Sequence, residues 1–183
     1  MNSKVIPWIA FVPLVLIGIA IAFGSGYLYH LAHYWNPLII FSIFFPFVFA
    51  FVLATLAANV VAVSNCEAAF AGAIVGLAIG VAGVGGKFWI PFELELSSAA
   101  TEVIEQNELD AASHGELKEL IRSQTSLSDH MSRRAESGFG IVVKGNDSIP
   151  VGGTFLWVLW GIEALIICLF ATVGGAIGKE MRR

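Results

Sequence analysis

Glu163, in the run LWGIEALII, is the one charged residue set well inside a long apolar stretch of this sequence. If a helix enters the membrane at Thr154, helical rise sets that carboxylate about 14 Å deep. If Trp157 and Trp160 mark the interface instead, it lies about one turn below it. A carboxylate in hydrocarbon either takes up a proton, because desolvation disfavours its charged form, or finds a partner within the bundle. Three kinds of chemistry follow: binding of a cation or proton, a hydrogen bond to a neighbouring subunit, or a local bond to a backbone carbonyl, Ser42 or Thr55. Asn59, Thr55, Ser42 and Thr172 are the other polar groups within the apolar runs, few for a transport route. Glu163 and Asn59 together form the candidate intramembrane polar site.

His30 and His33 stand three apart in YLYHLAHYW, a spacing that can put both on one helix face toward a metal or haem. No acid lies near them and the stretch holds no third ligand, so they read as amphipathic boundary residues. His114 and His130 read as solvent-facing. Cys66 and Cys168 make neither a disulfide framework nor a metal spacing and read as small apolar residues. Glu93, Glu95, Glu102, Glu105 and Glu108 lack the Asp/Asn/Gly loop of a calcium site and read as solvated helix faces. Phosphate-binding, serine-hydrolase and zinc-protease motifs are absent from the sequence. The expectation is therefore a non-enzyme with no catalytic, metal or cofactor residues.

The elements that position these groups are apolar helices. The stretch 68–86, AAFAGAIVGLAIGVAGVGG, places Gly72, Gly76 and Gly80 four residues apart, with Gly83 three further on. On a helix these form a stripe without side chains, along which another helix backbone can approach closely. Gly costs about 1 kcal/mol against Ala in a water-exposed helix, but in lipid the backbone has no polar competitor and the helix survives. Gly174 and Gly178 suggest a second small-residue face. No strand precedes these glycines, so they mean packing and not phosphate binding.

Composition agrees. The 183 residues are 57% hydrophobic and 13% charged, with mean hydropathy +0.79. Soluble domains carry about 25% charged residues. Between Val5 and Gly86 the only charged residue is Glu67, whereas 87–150 holds eleven acids and six bases. Its net −5 disfavours nucleic acid as a partner.

The fold expected is all-α: a polytopic membrane protein with four transmembrane helices and a helical extramembrane insert between the third and fourth. Residues 1–86 supply three crossings at 5–29, 37–63 and 68–86. Residues 87–150 form the acidic insert, and 151–183 the fourth crossing with a short basic tail. The first run, with Lys4 ahead of it and Ala20-Ile21-Ala22 near its end, is longer than a signal-peptide core and is expected to be retained. Residues 27–35 make an aromatic connection, and Ser64-Asn65-Cys66-Glu67 a tight turn closing a hairpin of runs two and three. In the insert the chain leaves the membrane at 87–91 with Trp89 as an anchor. Helices are expected over 99–112, capped by Ser97 or Ser98, over 114–124 behind a capping box from Ser113 to Glu116, and after Ser128. An extended piece at 141–143 and a turn at 144–147 follow.

Lys4, Lys179, Arg182 and Arg183 flank the membrane on one side, whereas the 27–35 connection has neither Lys nor Arg. The positive-inside rule then puts both termini in the cytoplasm and the insert on the outer side, periplasmic, extracellular or lumenal. Tyr27, Tyr29, Tyr34, Trp35, Trp89 and Trp157 would mark the outer boundary and Trp8 the inner one. The function this suggests is a non-catalytic subunit or scaffold of a larger membrane assembly. It would pack through its glycine faces against other membrane subunits or itself, within the lipid bilayer. The alternative is a small channel or transporter using Glu163.

Overall fold

The computed structural model describes residues 8–34, 39–64, 68–107, 114–141, 149–178 and 180. It is an all-α polytopic membrane protein with helices α1 (Trp8–Tyr34), α2 (Ile39–Val63), α3 (Ala69–Asn107), α4 (His114–Gln124), α5 (Leu127–Ser137) and α6 (Thr154–Ile177). One short antiparallel pair interrupts them: β1 (Phe139–Ile141) and β2 (Ile149–Val151), with Gly140 opposite Pro150. Four helices contain stretches long and apolar enough to cross a membrane: Phe11–Ala32, Phe44–Val63, Ala69–Gln106 and Thr154–Ile177.

Two boundaries differ from the sequence reading. The 27–35 connection is helical as far as Tyr34, since nothing in YLYHLAHY stops a helix before Asn36-Pro37. The helix does not end at 87–91, and no separate helix begins after Ser97 or Ser98. Helix α3 continues through Lys87 and Pro91 to Asn107. Its 39 residues span about 58 Å, roughly twice the thickness of a hydrocarbon core. Pro91 removes one backbone donor, and the Glu, Leu and Ala residues around it favour helix strongly enough to carry the chain past it. Pro13 and Pro46 likewise lie inside α1 and α2. The expected turn at Asn65-Cys66-Glu67, the Ser113 cap, the turn at 144–147, and Lys4, Lys179, Arg182 and Arg183 lie outside the described residues, as do the side chains of His33, Tyr34 and Ser42.

The chain divides into two compact units, Met1–Lys87 with Leu159–Arg183, and Phe88–Val158. In the first, the absent side chains show how the helices meet. A Cβ on Gly72 or Gly76 would overlap the carbonyl of Gly175 or Ala171, and one on Gly80 would lie 2.9 Å from Cα of Cys168. Partners move down α6 as they climb α3, so these helices run antiparallel. Gly83 turns instead to Leu53 and Phe49 of α2, and Gly86 to the Phe23 backbone of α1. Helix α3 therefore touches all three neighbours, each through glycine. Gly174 and Gly178 close on Ala54 and Ala58 of α2, and Gly18 on Val60. Ala22, Leu53, Ala57, Ile79, Ile167 and Ala171, all at most 1% exposed, fill the space between. Large apolar side chains such as Phe51, Phe70 and Leu165 point outward, as they must where lipid is the solvent.

The second unit is built on ion pairs over a small core of Phe92, Leu96, Ala100, Ala135 and Leu156. Glu93 receives Lys118 at 3.2 Å and also Arg122, which bonds Glu119 on its own helix. Glu93 is thus an internal anchor for α4 and not a solvated residue. Helix α5 starts two residues earlier than expected, with its cap at Ser126 in place of Ser128. Ser126 is its N-cap, accepting from the Asp129 amide while the Asp129 carboxylate accepts from the Ser126 amide. The Ser126 hydroxyl, which donates to the same carboxylate at 2.6 Å, and then the Ser126 amide hold the Asp129 carboxyl below its ordinary range. Ser126→Ala is expected to cost about 0.5–2 kcal/mol of local stability. Faster hydrogen exchange at the Asp129 and His130 amides would report the loss, and unchanged exchange there would rule the cap out as a stabiliser. The C-terminal end of α5 is capped by Gly138, which adopts φ 57° and donates its N–H to the Arg134 carbonyl at 3.1 Å, and Gly153, at φ 60°, donates to the Ala135 carbonyl at 2.6 Å.

Candidate functional site

Helix α6 brings Glu163 inward, and α3 supplies what that carboxylate needs. Nζ of Lys87 donates to both carboxylate oxygens at 2.5 Å, with the two side chains 6% and 11% exposed. The local cause is again glycine. Gly26 and Gly86 let α1 and α3 touch backbone to backbone, and a Cβ on Gly26 would sit 2.7 Å from the Lys87 amide nitrogen. That approach delivers Tyr29, one turn beyond Gly26, to the ammonium: Nζ lies 5.0 Å from the centre of its ring. The ring is stacked on Phe49 of α2 at 4.5 Å and 10°, so all four long helices contribute to one polar centre. The Glu163 carboxylate also acts on the Tyr29 hydroxyl.

This centre differs from the sequence reading in three respects. Lys87 is the partner of Glu163, where a backbone carbonyl, Ser42 or Thr55 was expected. Tyr29, expected to mark the outer boundary, has its side chain in the core of the bundle, 5% exposed. Asn59 lies elsewhere: it is exposed, and its side-chain amide donates to the Thr55 carbonyl at 2.9 Å. Thr55 and Thr172 donate in the same way to Phe51 and Cys168 of their own helices. The signal that could have found Lys87 is its setting, a single cation between Val84-Gly85-Gly86 and Phe88-Trp89-Ile90, with one buried acid elsewhere needing a charge. Gly72, Gly76, Gly80, Gly83, Gly174 and Gly178 all face neighbours within the same bundle, in the contacts given above.

Chemically the centre holds an ammonium, a carboxylate and a phenol in an apolar setting. Unpaired, either ion would carry a desolvation penalty of several kcal/mol; together they are neutral overall and hydrogen-bonded. The ring face adds about 0.5–2 kcal/mol of cation–π attraction. The pair can lock three helices together. It can also be opened by anything that neutralises Glu163, whether a proton or a competing cation.

Other candidates are placed apart. His30 is half-buried in α1 beside Tyr27, ring centres 6.5 Å apart. Among the described residues no three of His, Cys, Asp and Glu are grouped to hold a metal. His130, expected in solvent, is 4% exposed: its ring packs on Phe92 at 5.4 Å, and its Nδ1 lies 3.0 Å from a Glu95 oxygen. Burial lowers its pKa below the ordinary imidazole value; Glu95 opposes that shift, and Arg134 and Arg133 add to it. The neutral ring thus belongs to the folded state. Its contribution to stability is complete above the unfolded pKa of about 6.5 and is lost as pH falls through the lowered folded value. Protection of the α5 amides, taken relative to their intrinsic exchange rate at each pH, is expected to fall on acidification through that range, and His130→Phe to flatten the response. An unchanged profile in that variant would assign the acid sensitivity to other groups.

Comparison with protein-family models, with curated proteins and with solved structures finds no match.

Proposed function

We propose that this chain is a non-catalytic integral membrane subunit or scaffold that holds an acidic helical unit at the membrane for a partner. The observation that carries this reading is α4. Its sequence is amphipathic, with Leu117, Leu120 and Ile121 on one face, yet none of its residues is buried and Leu120 is 55% exposed. The glycine faces expected to dock other subunits meet neighbours within the bundle, which favours a docking surface elsewhere. The second unit takes that place as the site of contact. By the positive-inside rule the termini are cytoplasmic and this unit lies on the outer side.

The test is a photo-crosslinking residue at Leu120 in native membranes, followed by purification in mild detergent. A discrete crosslinked partner, or a second copy of this chain, is the expected result, and Leu120→Glu should weaken its recovery. A chain that purifies alone and uncrosslinked would end the reading.

A second reading rests on the Lys87–Glu163–Tyr29 centre: Glu163 as a proton or cation site in a small channel or transporter. Buried ionisable groups in membrane helices commonly serve such roles. Proteoliposomes carrying the chain would then show pH-dependent flux, and Glu163→Gln would abolish it. Absence of flux from the unaltered chain would leave the pair as a structural lock.

A further inference from the structure

The second unit contains a cavity of about 180 Å³ that the ion pair does not use and that shares Ile121 alone with the apolar face of α4. Its floor is Phe92 and Leu96, 3% and 4% exposed. Ala99, Ile121 and Thr125 form its walls, and Glu95, His130 and Arg133 its rim. The rim charges are not equivalent. Glu95 and His130 satisfy each other at 3.0 Å, and the His130 ring is fixed against Phe92. Arg133 is exposed and enters no ion pair among the described residues. The acid one turn back on its own helix, Asp129, is engaged by both the side chain and the amide of Ser126. Glu95, bonded to a neutral imidazole, keeps its negative charge, and Arg133 acts on Asp129 only through space. Arg133 is the cation at the mouth whose N–H donors are bonded to no carboxylate among the described residues, and the surface beneath it is apolar.

We propose that this cavity binds a small carboxylate, its apolar body on Phe92 and Leu96 and its carboxylate on Arg133. The planar guanidinium can give a carboxylate two parallel N–H bonds. A phosphate fits less well, because it would set a strongly hydrated dianion beside Glu95 and leave the apolar floor uncovered. An amine would meet a carboxylate already engaged by His130. The volume lies below the about 300–1,000 Å³ of pockets for drug-sized ligands, which limits the ligand to one ring or a short chain.

The test is calorimetric titration of the full chain in nanodiscs with benzoate, and with benzylamine as the cationic counterpart. Saturable binding of benzoate and none of benzylamine is expected. Arg133→Gln should weaken benzoate about tenfold or more, the loss typical of a hydrogen bond to a charged group. This variant should fold normally, since the side chain makes no ion pair among the described residues. Ala99→Leu, which fills the cavity and leaves Arg133 in place, should abolish binding. The proposal is overturned if benzoate gives no saturable heat, if benzylamine binds equally well, or if Arg133→Gln binds benzoate as the unaltered chain does. None of these outcomes depends on whether α4 docks a partner.

Discussion

Glu163→Ala, with Lys87 left in place, is expected to destabilise the membrane bundle by about 3–5 kcal/mol. The loss comes chiefly from what remains. An ammonium 6% exposed would lose its carboxylate and keep the face of Tyr29, and a ring face returns about 0.5–2 kcal/mol. Lys87→Ala should cost a similar amount by leaving the carboxylate, although protonation of Glu163 offers that variant a partial escape. The informative variant is the double one. Lys87→Met with Glu163→Leu removes both charges and keeps the volume, and such replacements are often neutral or stabilising. Unfolding in mixed micelles should therefore place it at or above the unaltered chain, giving a large coupling in a double-mutant cycle. Additive losses would mean that the two side chains do not act as a pair.

That experiment also separates the two functional readings. A lock is defined by stability, so an apolar double variant that folds well should keep the scaffold role intact. A proton or cation site is defined by the carboxylate, and the same variant should then be stable but inactive. The two properties are read in different assays, so one variant decides between them.

How far the sequence went is visible in the same residues. Hydropathy alone marks four crossings, because an apolar run of about 20 residues has few other uses. The glycine spacing marks α3 as a close-packing helix for an equally local reason. The fate of Lys87 was not legible in that way. A Lys followed by Trp and Pro reads as a membrane exit, and only the contact between α3 and α6 shows that the helix continues and the ammonium turns inward. His130 is a similar case. Nothing in LSDHMSRRAES says that its ring meets Phe92, because that contact joins residues 38 apart in the chain. The failures share a cause. Periodicity reports which face of a helix is apolar, whereas burial of a single polar group depends on which helix lies opposite.

The glycines give the second large effect and show what a sequence motif leaves open. Gly72, Gly76 and Gly80 invite two readings, a face for another chain or a face for a helix of the same chain, and the spacing is the same for both. Here the neighbour is α6, and a Cβ at Gly76 would overlap the Ala171 carbonyl and lie 2.9 Å from Cα of Thr172. Backbone cannot change rotamer to make room. Gly76→Leu must therefore push α3 and α6 apart along the line that leads to Lys87 and Glu163, and so loosen the ion pair as well. The expected cost is at least about 3 kcal/mol, the upper end for overpacking a close-packed interior. Unfolding in micelles measures it directly. Gly161→Leu supplies the control, since a Cβ there meets nothing within 4 Å, and a glycine replaced in an open helical position gains propensity. If both variants unfold together with the unaltered chain, the α3–α6 contact carries no stability. If Gly76→Leu stays fully folded but changes its size in detergent, the stripe holds two chains together, and the face read here as internal would belong to an oligomer.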